Sequence, residues 1–176
     1  SLSMDIFEAI QERHSYRGVF SEDPVPQEDL RRIVEAGLMA PSGKNAQTTR
    51  FVIVDDFQLA SQFAAMPGSN PAMASAPAYI ACVVDKDPEK IYDVHDFQIE
   101  DCAAAVENML LAISALGYAS VWIDGWLRVQ GRAAALGDLL GVPDDKVIRV
   151  ILPVGKTAEA YKRPTKLPFE QRAWFN

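Results

Sequence analysis

An α+β fold is predicted for this 176-residue chain. Helical and strand-like stretches follow one another without the regular strand–helix–strand alternation of a doubly wound sheet. Four short apolar runs have strand character, and one stretch over roughly 96–116 is apolar around most of a helix. No repeat, low-complexity tract or long linker interrupts the pattern, so one domain over residues 1–176 is expected, with 155–176 as a polar, Pro-broken C-terminal arm.

The elements read in order. Residues 4–14 form a first helix with Ile6, Phe7 and Ile10 inward. Pro26 opens a second helix, on which Leu30, Ile33, Val34, Gly37 and Leu38 share a face until Pro41 stops it. Phe51 to Val54 reads as a short buried strand, followed by a modest helix around 57–65, and Tyr79 to Val84 as a second strand. On the long helix, Ile99, Cys102, Val106, Met109, Leu110, Ile113 and Leu116 nearly encircle the axis, which marks it as buried in a core or an interface. Gly117 terminates it. Ala119 to Ile123 is a third strand, 129–140 a helix and Val147 to Val154 a fourth strand.

Composition excludes several classes. A hydrophobic content of 49% with 23% charged residues is that of an ordinary globular protein. A net charge of −7 opposes binding to nucleic acid or to an anionic membrane surface. No apolar run approaches the roughly 20 residues that span a bilayer. Ser1 to Ser3, ahead of Met4, read as a vector-derived remnant with Met4 as the native start, and the segment lacks the regions of a secretory signal. A cytoplasmic location is expected. Cys82 and Cys102 show neither a disulfide framework nor zinc-ligand spacing and read as core thiols.

Common catalytic signatures are missing. The ten glycines contain no G-x-G-x-x-G, so no Rossmann site can be claimed. Gly37 to Lys44 resembles a P-loop only superficially: five residues separate its glycines, and Asn45 stands where Ser or Thr ligates magnesium. No G-x-S-x-G occurs. Asp93-Val94-His95-Asp96 lacks the i, i+4 ligand spacing of helical metal sites, and Asp93 and Asp96 read as caps of the long helix.

Four signals remain. Arg13-His14-Ser15-Tyr16-Arg17 crowds donors at a helix end, where guanidinium forks suit phosphate or paired carbonyls, though a solvated basic turn would use the same residues. Ala40 to Gln47 is a loop rich in amide, hydroxyl and glycine that could cradle a polar heterocycle or simply join helix to strand. Val121 to Trp126 ends an apolar strand in a Gly between two tryptophans, as if a backbone N–H approached something flat. Lys156, Lys162, Arg163, Lys166 and Arg172 concentrate positive charge in the arm of an acidic chain, which suits a discrete anion.

In this order and spacing, the signals resemble the FMN-binding nitroreductase family across nearly the whole chain. Arg13-His14-Ser15-Tyr16-Arg17 is similar to the family's R-R/H-S-x-R/K start, and Ala40-Pro41-Ser42-Gly43-x-Asn45-x-Gln47 to its A-P-S-x-x-N-x-Q loop. Leu110 to Tyr118 resembles its central helix. Val150 to Gly155 and Arg163 to Pro168 resemble its closing strand and arm.

The resemblance implies a central, mostly antiparallel sheet flanked by helices, with the long helix at a homodimer interface. It implies that Arg13, His14 and Ser15 hold the FMN phosphate and ribityl chain, and that Arg17 faces the N1–C2=O edge. Pro41, Ser42, Gly43 and Asn45 would come from the partner subunit, and Asn70 would meet the pyrimidine ring. Asp124 and Gly125 would present backbone near N5, and Lys166 with Arg163 would close on the phosphate. The implied activity is ping-pong hydride transfer from NAD(P)H to an electron-poor small molecule, a nitroaromatic or quinone, with no obligatory catalytic side chain and no metal. Reductive dehalogenation, flavin fragmentation or non-catalytic flavin sensing would use the same residues. Thr48-Thr49 departs from the family's frequent Pro-Trp, and the short stretch from Trp126 to Val147 leaves little to cover a substrate pocket.

Overall fold

A computed structural model describes residues 4–176; the reading of Ser1 to Ser3 lies outside them. Among the described residues are helices α1 (Ile6–Glu12), α2 (Gln27–Leu38), α3 (Phe57–Ala64), α4 (Pro71–Ser75), α5 (Gln98–Ala115), α6 (Arg132–Leu140) and α7 (Phe169–Arg172). Strands β1 (Arg50–Val54), β2 (Ala78–Asp85) and β3 (Lys146–Val154) form one antiparallel sheet in the order β1-β2-β3. The α+β class and the antiparallel sheet are as expected.

β2 is central and buried on both faces, which explains its unbroken apolar run. Ala78, Ile80, Cys82 and Val84 pack with α2 and α5 through Leu30, Ile33, Cys102, Val106 and Met109. Tyr79, Ala81 and Val83 point the other way, into a cluster with Phe63, Met73 and Leu136 from α3, α4 and α6. The sheet is therefore a shared wall between two cores. Gly37 lets α2 close on α5, since a Cβ there would lie 2.8 Å from Met109 Cγ.

Helix ends follow local chemistry. Asp5, Asp56 and Asn70 each accept a backbone N–H three residues on, starting α1, α3 and α4. Gly117, at φ +86°, ends α5, with Tyr118 N–H donating back to the Ile113 carbonyl.

Several expectations need correction. Ile6, Phe7 and Ile10 point outward, at 57%, 76% and 51% exposure; Ala9 is the residue α1 buries, because α1 lies on the surface against α5. β1 is an edge strand with only Val54 buried; Phe51 and Val52 are half-buried, and Arg50 and Ile53 meet solvent. Ala119 to Ile123 does not form a ladder. It runs beside β3 through single bridges, Ala119 to Gly155 and Ile123 to Ile151. α6 begins at Arg132 because Gly131 is left-handed. Phe97, not an aspartate, is the N-cap of α5; Asp96 accepts from Gln98 N–H, while Asp93 takes a left-handed conformation outside the helix. α4 was not expected; its Pro71 start follows the Asn70 cap. No helix of the described residues is long and apolar enough to cross a membrane.

Candidate functional site

The segment after α1 is the spine of the site. Tyr16 N–H donates to the Ser120 carbonyl at 2.9 Å, and Ser15 and Ser120 bridge in parallel, so residues 13–17 run alongside 119–122. Tyr16 is buried and pins the segment, while Ser15 and Arg17 face outward. Two cavities open along this track.

The first, of about 410 Å³, is lined by Arg13, His14, Ser15, Arg163 and Lys166. The two chain ends thus bring their cations to one place. The arm is tied down by Arg163, whose Nη1 donates to the Gln11 carbonyl at 2.7 Å and lies 3.4 Å from Glu12 Oε2. Arg13 Nε is 3.8 Å from Glu107 Oε1 on α5, a loose pair that leaves most of its donor fork unused. His14 Nδ1–H donates to the Glu12 carbonyl at 2.9 Å, and its buried Nε2 has no partner among the described residues. Its ring is stacked on Tyr161.

The second cavity, of about 190 Å³, gathers Arg17, Asn70, Trp122, Asp124, Gly125 and Trp126. Asn70 Oδ1 is committed to Met73 N–H at 2.8 Å, so its amide NH₂ is the group left to offer. The Asp124 carboxylate is committed too: Arg128 grips it with two hydrogen bonds of 2.7 and 3.1 Å, and Arg149 Nη1 stands 3.5 Å away. That pairing raises the Arg128 pKa above its ordinary value. Only backbone at 124 and 125 is left for the site. A Cβ added to Gly125 would meet nothing within 4 Å, so this backbone borders open space.

Pro41, Ser42, Gly43 and Asn45 are not brought to these cavities within one chain. Pro41 and Ser42 line a separate cavity of about 380 Å³ beside α2 and α5. The loop is anchored to α5 by Gly43 N–H, which donates to Asp101 Oδ1 at 2.9 Å. Lys44, Asn45 and Gln47 all have φ between +51° and +56°, a conformation costly for side-chain-bearing residues. Among the described residues the buried hydroxyls of Thr48 and Thr49 have no hydrogen-bond partner.

Sequence reasoning missed Tyr161, Gly68 and Arg132. Gly68 lines the second cavity, and Arg132 lies against it. Nothing in the sequence marked Tyr161, which depends on the arm folding back; Pro67-Gly68 before Asn70 was the available hint of a turn at the site.

The sequence model of the nitroreductase family matches residues 10–66 and 57–156. The chain belongs to this family. A protein of Archaeoglobus fulgidus, named as a candidate NADH dehydrogenase/NAD(P)H nitroreductase, is 34% identical over 146 residues, covering 83% of this chain and 82% of its own length. The FMN reductase [NAD(P)H] of Bacillus subtilis is 26% identical, covering 94% of this chain and 71% of its own. A crystal structure of a candidate nitroreductase in complex with FMN, from Desulfovibrio desulfuricans, superposes with a TM-score of 0.73 at 29% identity, covering 92% and 93% of the two chains.

Proposed function

We propose that this protein is an FMN-dependent NAD(P)H oxidoreductase, active as a homodimer with two flavin sites shared between subunits. The observation that carries the reading is the pair of cavities on one track: Arg13, Arg163 and Lys166 meet in the first, and Arg17, Asn70 and the Gly125 backbone line the second. Family membership and the names of the relatives support it.

These residues suit FMN. The cations offer charge-assisted donors for its phosphate, and Ser15 offers a hydroxyl for the ribityl chain. The Asn70 amide NH₂ and the Arg17 guanidinium are donors matched to the carbonyl-rich pyrimidine edge. Gly125 lets backbone approach the N5 edge without a side chain in the way. The loop of Pro41, Ser42, Gly43 and Asn45 is tied to Asp101 on α5 through the Gly43 N–H, so a partner packed on α5 would receive that loop.

When bound, FMN would supply the hydride chemistry that links NAD(P)H to an electron-poor acceptor such as a nitroaromatic or quinone in a ping-pong reaction. The chain's residues bind, orient and set charge; none is required as an obligatory acid or base.

The test is direct. Purified protein, or protein reconstituted with FMN, should hold one flavin per chain, and NAD(P)H should bleach its absorbance in stopped flow. A protein that takes up no flavin refutes the reading. One that binds flavin but is reduced by neither nicotinamide refutes the enzymatic part.

A further inference from the structure

Arg132 is placed against the grain of local energetics. It is the first residue of α6, where the helix's positive end disfavours a cation. Its guanidinium makes no ion pair with a carboxylate among the described residues, although the chain carries a net charge of −7. What holds it is neutral. The guanidinium lies over the Trp126 ring, 4.7 Å from its centroid, with Nη1 donating to the Trp126 carbonyl at 3.2 Å and Nη2 to Gln130 Oε1 at 3.3 Å. Two of its five N–H donors are so used, and the rest remain unspent.

The location gives this cation a use. A Cβ on Gly68 would sit 2.7 Å from Arg132 Nη2, and Gly68, at φ +83°, borders the same cavity as Arg17, Asn70, Gly125 and Trp126. Arg132 therefore sits at the border of this cavity, beside two of its lining residues, Gly68 and Trp126. Nearby, Arg128 is consumed by Asp124 and Arg149 leans on the same carboxylate. Among the described residues Arg132, like Arg17, is a guanidinium there left without an anion, and Arg17 is already assigned to the flavin's pyrimidine edge.

We propose that Arg132, presented by Trp126, is a specificity residue that recognises an anionic substituent on the molecule reacting at this cavity. The inference rests on the oxidoreductase reading. A planar fork fixed by stacking suits a carboxylate or phosphate oxygen pair, and stacking orders it before the ligand arrives. The anion has two possible carriers: an aromatic carboxylate on the acceptor, or the 2′-phosphate that distinguishes NADPH from NADH.

The experiment compares parent, Arg132→Gln and Arg132→Lys as FMN-loaded dimers. Two matched pairs are used: 4-nitrobenzoate against 4-nitrobenzamide, and NADPH against NADH. For each pair the ratio of kcat/KM is measured, and dissociation constants of the two nitroaromatics are taken by calorimetry without reductant. Loss of a charge-assisted contact predicts that one anionic-to-neutral ratio falls by about one to two decades in the Gln variant, through KM and Kd. The Lys variant should recover part of it, since charge returns without the stacked fork. The pair that changes identifies the carrier. Ratios within threefold of the parent for both pairs, or a Lys variant no better than Gln, overturn the proposal. Flavin absorbance recorded on the same samples separates this failure from failure of the parent to bind FMN.

Discussion

Tyr161 lies flat on His14, with ring centroids 3.6 Å apart and planes inclined by 9°. The contact joins a residue of the C-terminal arm to the Arg13–Arg17 segment and sets Arg163 and Lys166 opposite Arg13. An aromatic pair of this kind contributes about 0.5–1.5 kcal/mol beyond burial. Tyr161→Ala should therefore weaken FMN binding by roughly two- to tenfold. Flavin fluorescence titration checks this, and an unchanged Kd would show that the arm does not serve the phosphate.

Arg13 carries a larger share. Its pair with Glu107 is loose at 3.8 Å, so its fork is free for phosphate. Arg13→Ala should remove a charge-assisted contact of about 1.5–3 kcal/mol and raise the FMN Kd by one or two decades. A variant that keeps flavin as tightly as the parent refutes the assignment.

Arg17 makes no ion pair among the described residues and lines the second cavity. A cation beside the pyrimidine edge favours the reduced, more negative flavin. Arg17→Gln should lower the two-electron potential and slow reduction by NAD(P)H. Spectroelectrochemistry on the fully loaded variant decides it, and an unchanged potential removes this role.

Tyr118 provides a pH handle on stability. Burial, with help from its hydrogen bond to the Asp29 carboxylate, raises the phenol to about 12 from an ordinary value of 10.0. The neutral phenol is the form the fold prefers. Its stabilisation is therefore complete below about pH 10 and is lost as pH rises towards 12. The stability advantage of the parent over Tyr118→Phe should be flat to about pH 9 and shrink at higher pH. Urea midpoints from pH 8 to 11 measure it, and an advantage that stays constant to pH 11 contradicts it.

Assembly is the last expectation. Phe7 at 76% and Met39 at 81% exposure, with Ile6, Ile10 and Ile99, leave a large apolar surface around α5 that an isolated chain would show to water. An isologous dimer should cover it and bury more than about 2,000 Å² in total. Sedimentation at micromolar concentration should give a dimer, and dilution should release flavin together with subunits. A monomer that retains stoichiometric FMN would overturn the shared site.

Local chemistry alone determined much of this molecule. The periodicities of α2, α5, β2 and β3 were readable because each element packs on the sheet's own cores, so burial and pattern coincide for most of their apolar residues, while Leu38 on α2 and Ile99 on α5 share the pattern yet stay exposed. The donor-rich segments at 13–17, 41–47 and 163–166 each have an ordinary structural reading, and they stood out through their order and spacing together along the chain. The tertiary structure decided the rest. Ile6, Phe7 and Ile10 form an apolar stripe that reads as a core face, but a stripe does not say which surface covers it. Ala119 to Ile123 has strand composition, yet its partners are single positions on 151 and 155, a matter of register that composition cannot carry. The arrival of Tyr161 on His14, and of Arg132 beside Gly68, depends on where distant segments close. Sequence spacing fixes neighbours along a helix or strand. Contacts between segments 64 or 147 residues apart are set only when the packed cores fix the orientation of the elements that carry them.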